Sequence, residues 1–133
     1  ENSGELKVLD AVPEIEVINL ERYYGLFSNL SEKEKAEVRK MYLGLWNKIR
    51  DMVSSGSYDI LVIDEFMAAY NYGLIPHEEA VRFLEEKPEE MEIVLTGRDP
   101  DEELVKLADY VSEIRKIKHP FDRGITARRG IEY

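Results

Sequence analysis

The segment Asp59-Ile60-Leu61-Val62-Ile63-Asp64 constrains the fold of this chain more than any other. Its four branched apolar residues have no polar alternation, so they read as a strand buried on both faces, as in parallel sheets. Met91-Glu92-Ile93-Val94-Leu95 reads the same way, and Tyr110-Val111-Ser112-Glu113-Ile114 forms a third candidate strand. Helical patterns separate them. A helix runs from about Glu65 to Tyr72 and stops at Gly73. Another begins with Pro76 in its first turn, carries Ala80, Val81, Phe83 and Leu84, and ends before Pro88. Between the second and third strands, Asp99 is the expected cap of a helix, with Pro100 in its first turn and Glu102 at the capping-box position. Strands alternating with helices predict an α/β fold, a mostly parallel sheet with flanking helices and right-handed crossovers.

Upstream, the clearest helix starts at Ser31, whose partner Glu34 completes a capping box. Val38, Met41, Tyr42, Leu45, Trp46, Ile49, Met52 and Val53 mark its buried face, and Gly56 supplies its stop. Residues 1–13 are polar and read as loose, Ile15, Val17 and Ile18 as a short strand, and residues 19–30 as an aperiodic loop. No repeat or linker divides the chain, so residues 1–133 read as a single domain.

Composition closes several routes. With no cysteine, disulfides, thiolate metal sites and a cysteine nucleophile are excluded. No apolar run reaches the ~18–20 residues of a membrane span, so no membrane partner is expected. The first residues have neither the basic start nor the apolar run of a signal peptide, and the expected location is cytoplasmic. A net charge of −10 argues against non-specific nucleic-acid binding. The charge is uneven. Lys116, Lys118, Arg123, Arg128 and Arg129 against Asp122 and Glu132 give residues 116–133 a net +3 on an otherwise acidic chain. This tail is either an anion site or a solvated basic end.

The strand ends carry the candidate chemistry. A carboxylate closing a buried parallel strand points into the crevice where α/β proteins bind ligands. Asp64 and Glu65 there would suit Mg²⁺, a cation that takes oxygen ligands. The alternative is that one of them merely caps the next helix. Thr96-Gly97-Arg98 follows the second strand. Its glycine allows close backbone approach, and its arginine can fork onto phosphate oxygens. Tyr23, Tyr24 and Phe27, beside Arg22, suit a flat, partly apolar ligand, or else fold back onto the core. His77 reads as a solvated residue in a polar helical turn, and His119 as a phosphate contact or a surface residue. A Gly-rich phosphate loop, G-x-x-x-x-G-K-[ST], occurs nowhere in the 133 residues.

In chain order, Val62-Ile63-Asp64-Glu65, Tyr72-Gly73, Leu95-Thr96-Gly97-Arg98, Ala108-Asp109-Tyr110-Val111-Ser112-Glu113, Lys118-His119-Pro120-Phe121 and Gly130-Ile131-Glu132-Tyr133 resemble the P-loop ATP:corrinoid adenosyltransferases. The resemblance is closest over residues 58–133. It implies a RecA-like fold of the P-loop NTPase type. The implied reaction is transfer of the 5′-deoxyadenosyl group of ATP to the Co(I) of a reduced corrinoid, with release of triphosphate. It implies that Asp64 and Glu65 serve Mg²⁺. Arg98, Thr96, Lys118, His119 and Arg128 would contact ATP, and Arg22, Tyr23, Tyr24 and Phe27 the corrinoid. A flavodoxin-type reductase and a homodimer are further expected partners. The family's N-terminal strands and phosphate loop have no counterpart here. The expectation is therefore a chain lacking that segment and inactive by itself. The competing readings are a non-catalytic nucleotide- or corrinoid-binding module and an interaction protein on the same scaffold.

Overall fold

The structure is a computed structural model that describes residues 4–20, 22 and 24–128. These residues form two compact units. One comprises residues 20–111. The other joins the described residues up to 19 with those from 112 to 128.

The larger unit is built on α2 (Glu32–Ser54), which follows a short first helix, α1 (Gly4–Leu9), of the smaller unit. Ser31 caps α2 as its sequence requires. Its hydroxyl accepts from the Glu34 amide, and the Glu34 carboxylate takes the Ser31 amide at 2.9 Å. All eight residues of the expected stripe are buried or half-buried, with Val38, Trp46 and Val53 deepest. Gly56 ends the helix in the left-handed region at φ 69°. The chain then enters β1 (Ile60–Ile63), α3 (Phe66–Asn71), α4 (His77–Glu85), β2 (Glu92–Leu95) and α5 (Glu102–Leu107).

The two strands are parallel neighbours, with Ile60 opposite Glu92 and Ile63 opposite Leu95. Ile63 and Leu95 pack on a core that holds Trp46, Phe66, Tyr70 and Ala80. Trp46 meets Phe83 edge-on at 4.9 Å and Phe66 at 6.3 Å, so one indole joins α2, α3 and α4. Burying each such ring contributes about 1.5–3 kcal/mol before packing terms. α4 also packs against α5.

Five sequence-based expectations change. The strands are covered on one face only. Ile60 and Val62 remain 61% and 60% exposed, because the described helices pack on the other face. The third strand is absent from the described residues. Residues 110–114 form no ladder, and Tyr110 and Ile114 are almost fully exposed. Residues 15–18 are likewise irregular, since β-branched residues make a strand only where a partner strand offers hydrogen bonds. Residues 4–9, read as loose, form α1, whose Glu5 and Lys7 lie at the ends that suit the helix dipole. The cap of α5 is Asp101, which accepts from the Glu103 amide at 2.8 Å. Asp99 instead turns left-handed at φ 53° before Pro100, which disfavours the helical region for the residue preceding it.

In the smaller unit, the tail holds one 3₁₀ turn, Pro120–Arg123, closed by Gly124 at φ 72°. Among the described residues, no helix is long and apolar enough to cross a membrane.

Candidate active site at the strand ends

Parallel pairing in register brings the carboxyl ends of β1 and β2 side by side, and the ladder continues one step beyond them. The Thr96 amide donates to the Ile63 carbonyl at 3.2 Å. This places Thr96 next to Asp64, and its hydroxyl donates to Asp64 Oδ1 at 2.5 Å. The same hydroxyl oxygen accepts from the Glu65 amide at 2.9 Å. The Thr96 carbonyl in turn accepts from the Met67 amide at 3.3 Å. Glu65 stands at φ 53°, ψ 28°, a left-handed conformation that costs a non-glycine residue of order 1–2 kcal/mol. Both carboxylates are exposed. Neither caps α3: Glu65 occupies the cap position without a side-chain bond, and Asp64 is engaged with Thr96.

Gly97 shows why this turn carries no side chain. A Cβ there would lie 2.7 Å from Met67 Cβ, and its φ is 139°. The chain thus passes directly over the first turn of α3. Arg98 follows, exposed and without an ion pair among the described residues. Asn71, at the end of α3, holds the next residue by donating to the Asp99 carbonyl at 2.9 Å. Asp64, Glu65 and Thr96 are therefore in direct contact, and Arg98 lies two residues further along the same turn.

The remaining site expectations concern other segments of the chain. Lys118, His119 and Arg128 belong to the smaller unit. There His119 Nδ1 accepts from the Phe121 amide at 3.1 Å and caps the 3₁₀ turn, while Lys116 pairs with Asp122 at 2.8 Å. Of the aromatic loop, Tyr24 and Phe27 are half-buried against the core. The Arg22 guanidinium lies 4.6 Å from the Tyr24 ring centre, and Phe27 sits 5.3 Å from Tyr72 and 5.5 Å below Arg39. Tyr23 lies outside the described residues.

His77 is not simply solvated. Its ring stacks on Tyr70 at 4.0 Å, and Nε2 bonds the Tyr70 carbonyl at 2.8 Å, closing the α3–α4 turn. Periodicity gave no sign of this, nor of the roles of Asn71 and Tyr72. A depression of about 290 Å³ lined partly by Arg50, Glu79 and Arg82 contains none of the site residues.

Among the described residues, no cluster of three or more His, Asp or Glu side chains is arranged to enclose a metal. Two exposed carboxylates do fit a cation such as Mg²⁺, which takes one or two protein carboxylates and completes its shell with phosphates and water.

A parallel α/β protein with an acidic pair and a Thr-Gly-Arg turn at adjoining strand ends is thus the class that fold and site define. The whole chain, residues 1–133, matches the family described as ATP:corrinoid adenosyltransferase BtuR/CobO/CobP, and it belongs to that family. A corrinoid adenosyltransferase of Escherichia coli K12 is 40% identical over 91 residues, which is 67% of this chain and 45% of that protein. One from a Sinorhizobium species is 42% identical over 89 residues, 66% of this chain and 42% of that protein. The corrinoid adenosyltransferase CobA of Salmonella typhimurium is 37% identical over 93 residues, 68% of this chain and 46% of that protein. The chain spans about half the length of these curated relatives.

Proposed function

We propose that this chain is the part of a corrinoid adenosyltransferase that supplies the acidic strand end of its ATP site, on a RecA-like scaffold. In the reaction, the Co(I) of a reduced corrinoid attacks C5′ of ATP with its electron pair. A Co–C bond forms, the C5′–O bond breaks, and triphosphate leaves with the bonding pair. A flavodoxin-type reductase fits as the source of electrons that keep the cobalt reduced.

The protein's contribution is orientation and charge stabilisation. The observation that carries the reading is the contact of Asp64, Glu65 and Thr96 at one strand end, with Arg98 on the same turn. Asp64 and Glu65 would hold Mg²⁺, which when bound would neutralise charge on the departing triphosphate. Arg98 would fork onto phosphate oxygens. Lys118, His119 and Arg128 would add positive or hydrogen-bonding groups toward the same polyanion. Arg22, Tyr23, Tyr24 and Phe27 would face the corrinoid. These residues contain no phosphate loop. The backbone cradle that P-loop proteins place around phosphates would therefore come from outside residues 1–133.

The test is the absorbance change of adenosylcobalamin formation from reduced corrinoid and Mg·ATP. The 133-residue chain would be compared with a full-length protein that carries it. The full-length protein should be active, and the 133 residues alone inactive. E65Q and R98A in the full-length protein should each lower the rate at least about tenfold, as lost transition-state contacts do. A full-length protein that binds ATP or corrinoid without turnover would replace this reading with that of a binding module.

A further inference from the structure

A threonine hydroxyl has one proton to give and two lone pairs to offer. At Thr96 the proton is committed to Asp64 Oδ1, because a carboxylate only accepts, and one lone pair is taken by the Glu65 amide. A nucleotide phosphate oxygen is also only an acceptor. The Thr96 hydroxyl would therefore have to release Asp64 in order to donate to it. Every polar group of Thr96 instead fastens the turn between β1 and α3. Its amide bonds Ile63, its carbonyl bonds Met67, and its hydroxyl joins the two acidic residues.

The consequences for the two acids differ. Asp64 has one carboxylate oxygen held, which fixes the direction of the group. Glu65 is held by its backbone in a left-handed conformation that glutamate disfavours, with its carbonyl also bonded by the Ala68 amide at 3.2 Å. Its side chain is left without a hydrogen bond among the described residues.

We propose that Thr96 is a positioning residue for a divalent cation. Its hydroxyl sets the Asp64 carboxylate and the Glu65 backbone, and it acts on the nucleotide only through the cation those acids hold. The inference rests on the reading of Asp64 and Glu65 as cation ligands given above.

The experiment uses the full-length protein with T96V, T96A and T96S. Mn²⁺ binding is read by electron paramagnetic resonance with and without ATP, and ATP affinity is read separately without metal. T96V and T96A should weaken Mn²⁺ binding about 10- to 100-fold, the usual loss when the partner orienting a metal ligand is removed. ATP affinity without metal should stay unchanged, and T96S should recover most of the cation affinity. V and A both remove the hydroxyl, so either variant, once shown folded by circular dichroism, carries the test. Loss of metal-free ATP binding with cation binding intact would overturn the proposal in favour of a direct nucleotide contact. T96S as weak as T96V would overturn it in favour of methyl packing, and unchanged cation binding in every variant would overturn it outright. A wild-type protein that binds no Mn²⁺ would sink the cation reading of the acids and this proposal with it, an outcome distinguishable because it needs no variant.

Discussion

Gly97→Ala tests the geometry of the site most directly. The new Cβ would lie 2.7 Å from Met67 Cβ, 2.9 Å from Met67 Cγ and 3.1 Å from the Met67 amide nitrogen. Met67 cannot easily retreat. It is buried in the first turn of α3, and its amide is tied to Thr96. Overpacking of this kind costs about 1–3 kcal/mol. Placing an alanine at φ 139° adds about 1–3 kcal/mol of backbone strain. The expected loss is therefore about 2–6 kcal/mol, a large share of the roughly 5–15 kcal/mol that holds a typical domain. With a urea slope of about 2 kcal/mol per molar, the unfolding midpoint should fall by roughly 1–3 M. Far-ultraviolet circular dichroism would follow the transition. Met67→Ala in the same chain should not rescue the variant, because alanine keeps the Cβ that makes the shortest contact. A midpoint shift below about 0.3 M, or full rescue by Met67→Ala, would refute the close approach of this turn to α3.

Ser31→Ala should destabilise the fold by about 1 kcal/mol through loss of the α2 cap. The Ser31 hydroxyl, and then its amide, hold the Glu34 carboxyl below the usual range, so this contribution is present above the unfolded glutamate pKa and lost as pH falls through the lower folded value. The gap between wild-type and Ser31→Ala urea midpoints should accordingly narrow from neutral pH to pH ~3. If the proposed function holds, Tyr24→Ala and Phe27→Ala in a full-length protein that carries this chain should raise the KM for corrinoid about 3- to 10-fold and leave that for ATP nearly unchanged. Equal effects on both substrates would mark the cluster as structural. Lys118→Ala with Arg128→Ala should weaken ATP binding several-fold and flatten its dependence on salt. An unchanged salt slope would identify the tail as a solvated basic end.

The parts of the fold legible in the sequence are those set by local rules. The α2 helix carries both its start signal and its buried stripe within its own residues, so Ser31, Glu34 and Trp46 could be placed without knowing what they pack against. β1 and β2 were legible because their apolar runs are too short for a helix and rich in β-branched residues, and parallel pairing then put Asp64 and Thr96 at one end. Residues 110–114 have strand composition too, yet a strand exists only where a second strand offers its hydrogen bonds, and composition does not carry that information. Asp99 has the capping-box spacing to Glu102, but it precedes Pro100 and turns left-handed, so the cap falls to Asp101. Within the site, residue types predicted the neighbourhood but not the bonding. A threonine beside two acids and an arginine reads as a phosphate contact, yet in the structure its hydroxyl donates to Asp64 Oδ1.

On the proposed function, charge implies that the strand end would need help to hold ATP. If the proposed roles hold, Asp64 and Glu65 would contribute two negative charges, a divalent cation would cancel them, and Arg98 would leave a single positive charge facing a ligand of about four negative charges. In a parallel sheet the neighbouring strand ends are only about 4.8 Å apart, so cation and arginine would address adjoining phosphates rather than the whole chain of three. Such an arrangement can orient a triphosphate and ease its departure, but it is poorly matched to binding it tightly. On that reading the remaining attraction would come from backbone amides in a phosphate loop, from the basic residues of the tail, or from both. These two sources differ in their response to salt. Short hydrogen bonds from a desolvated loop are screened little, whereas exposed lysines and arginines lose most of their pull once the Debye length falls below their separation from the ligand. The salt dependence of ATP binding, measured before and after neutralising Lys118 and Arg128, therefore apportions affinity between loop and tail.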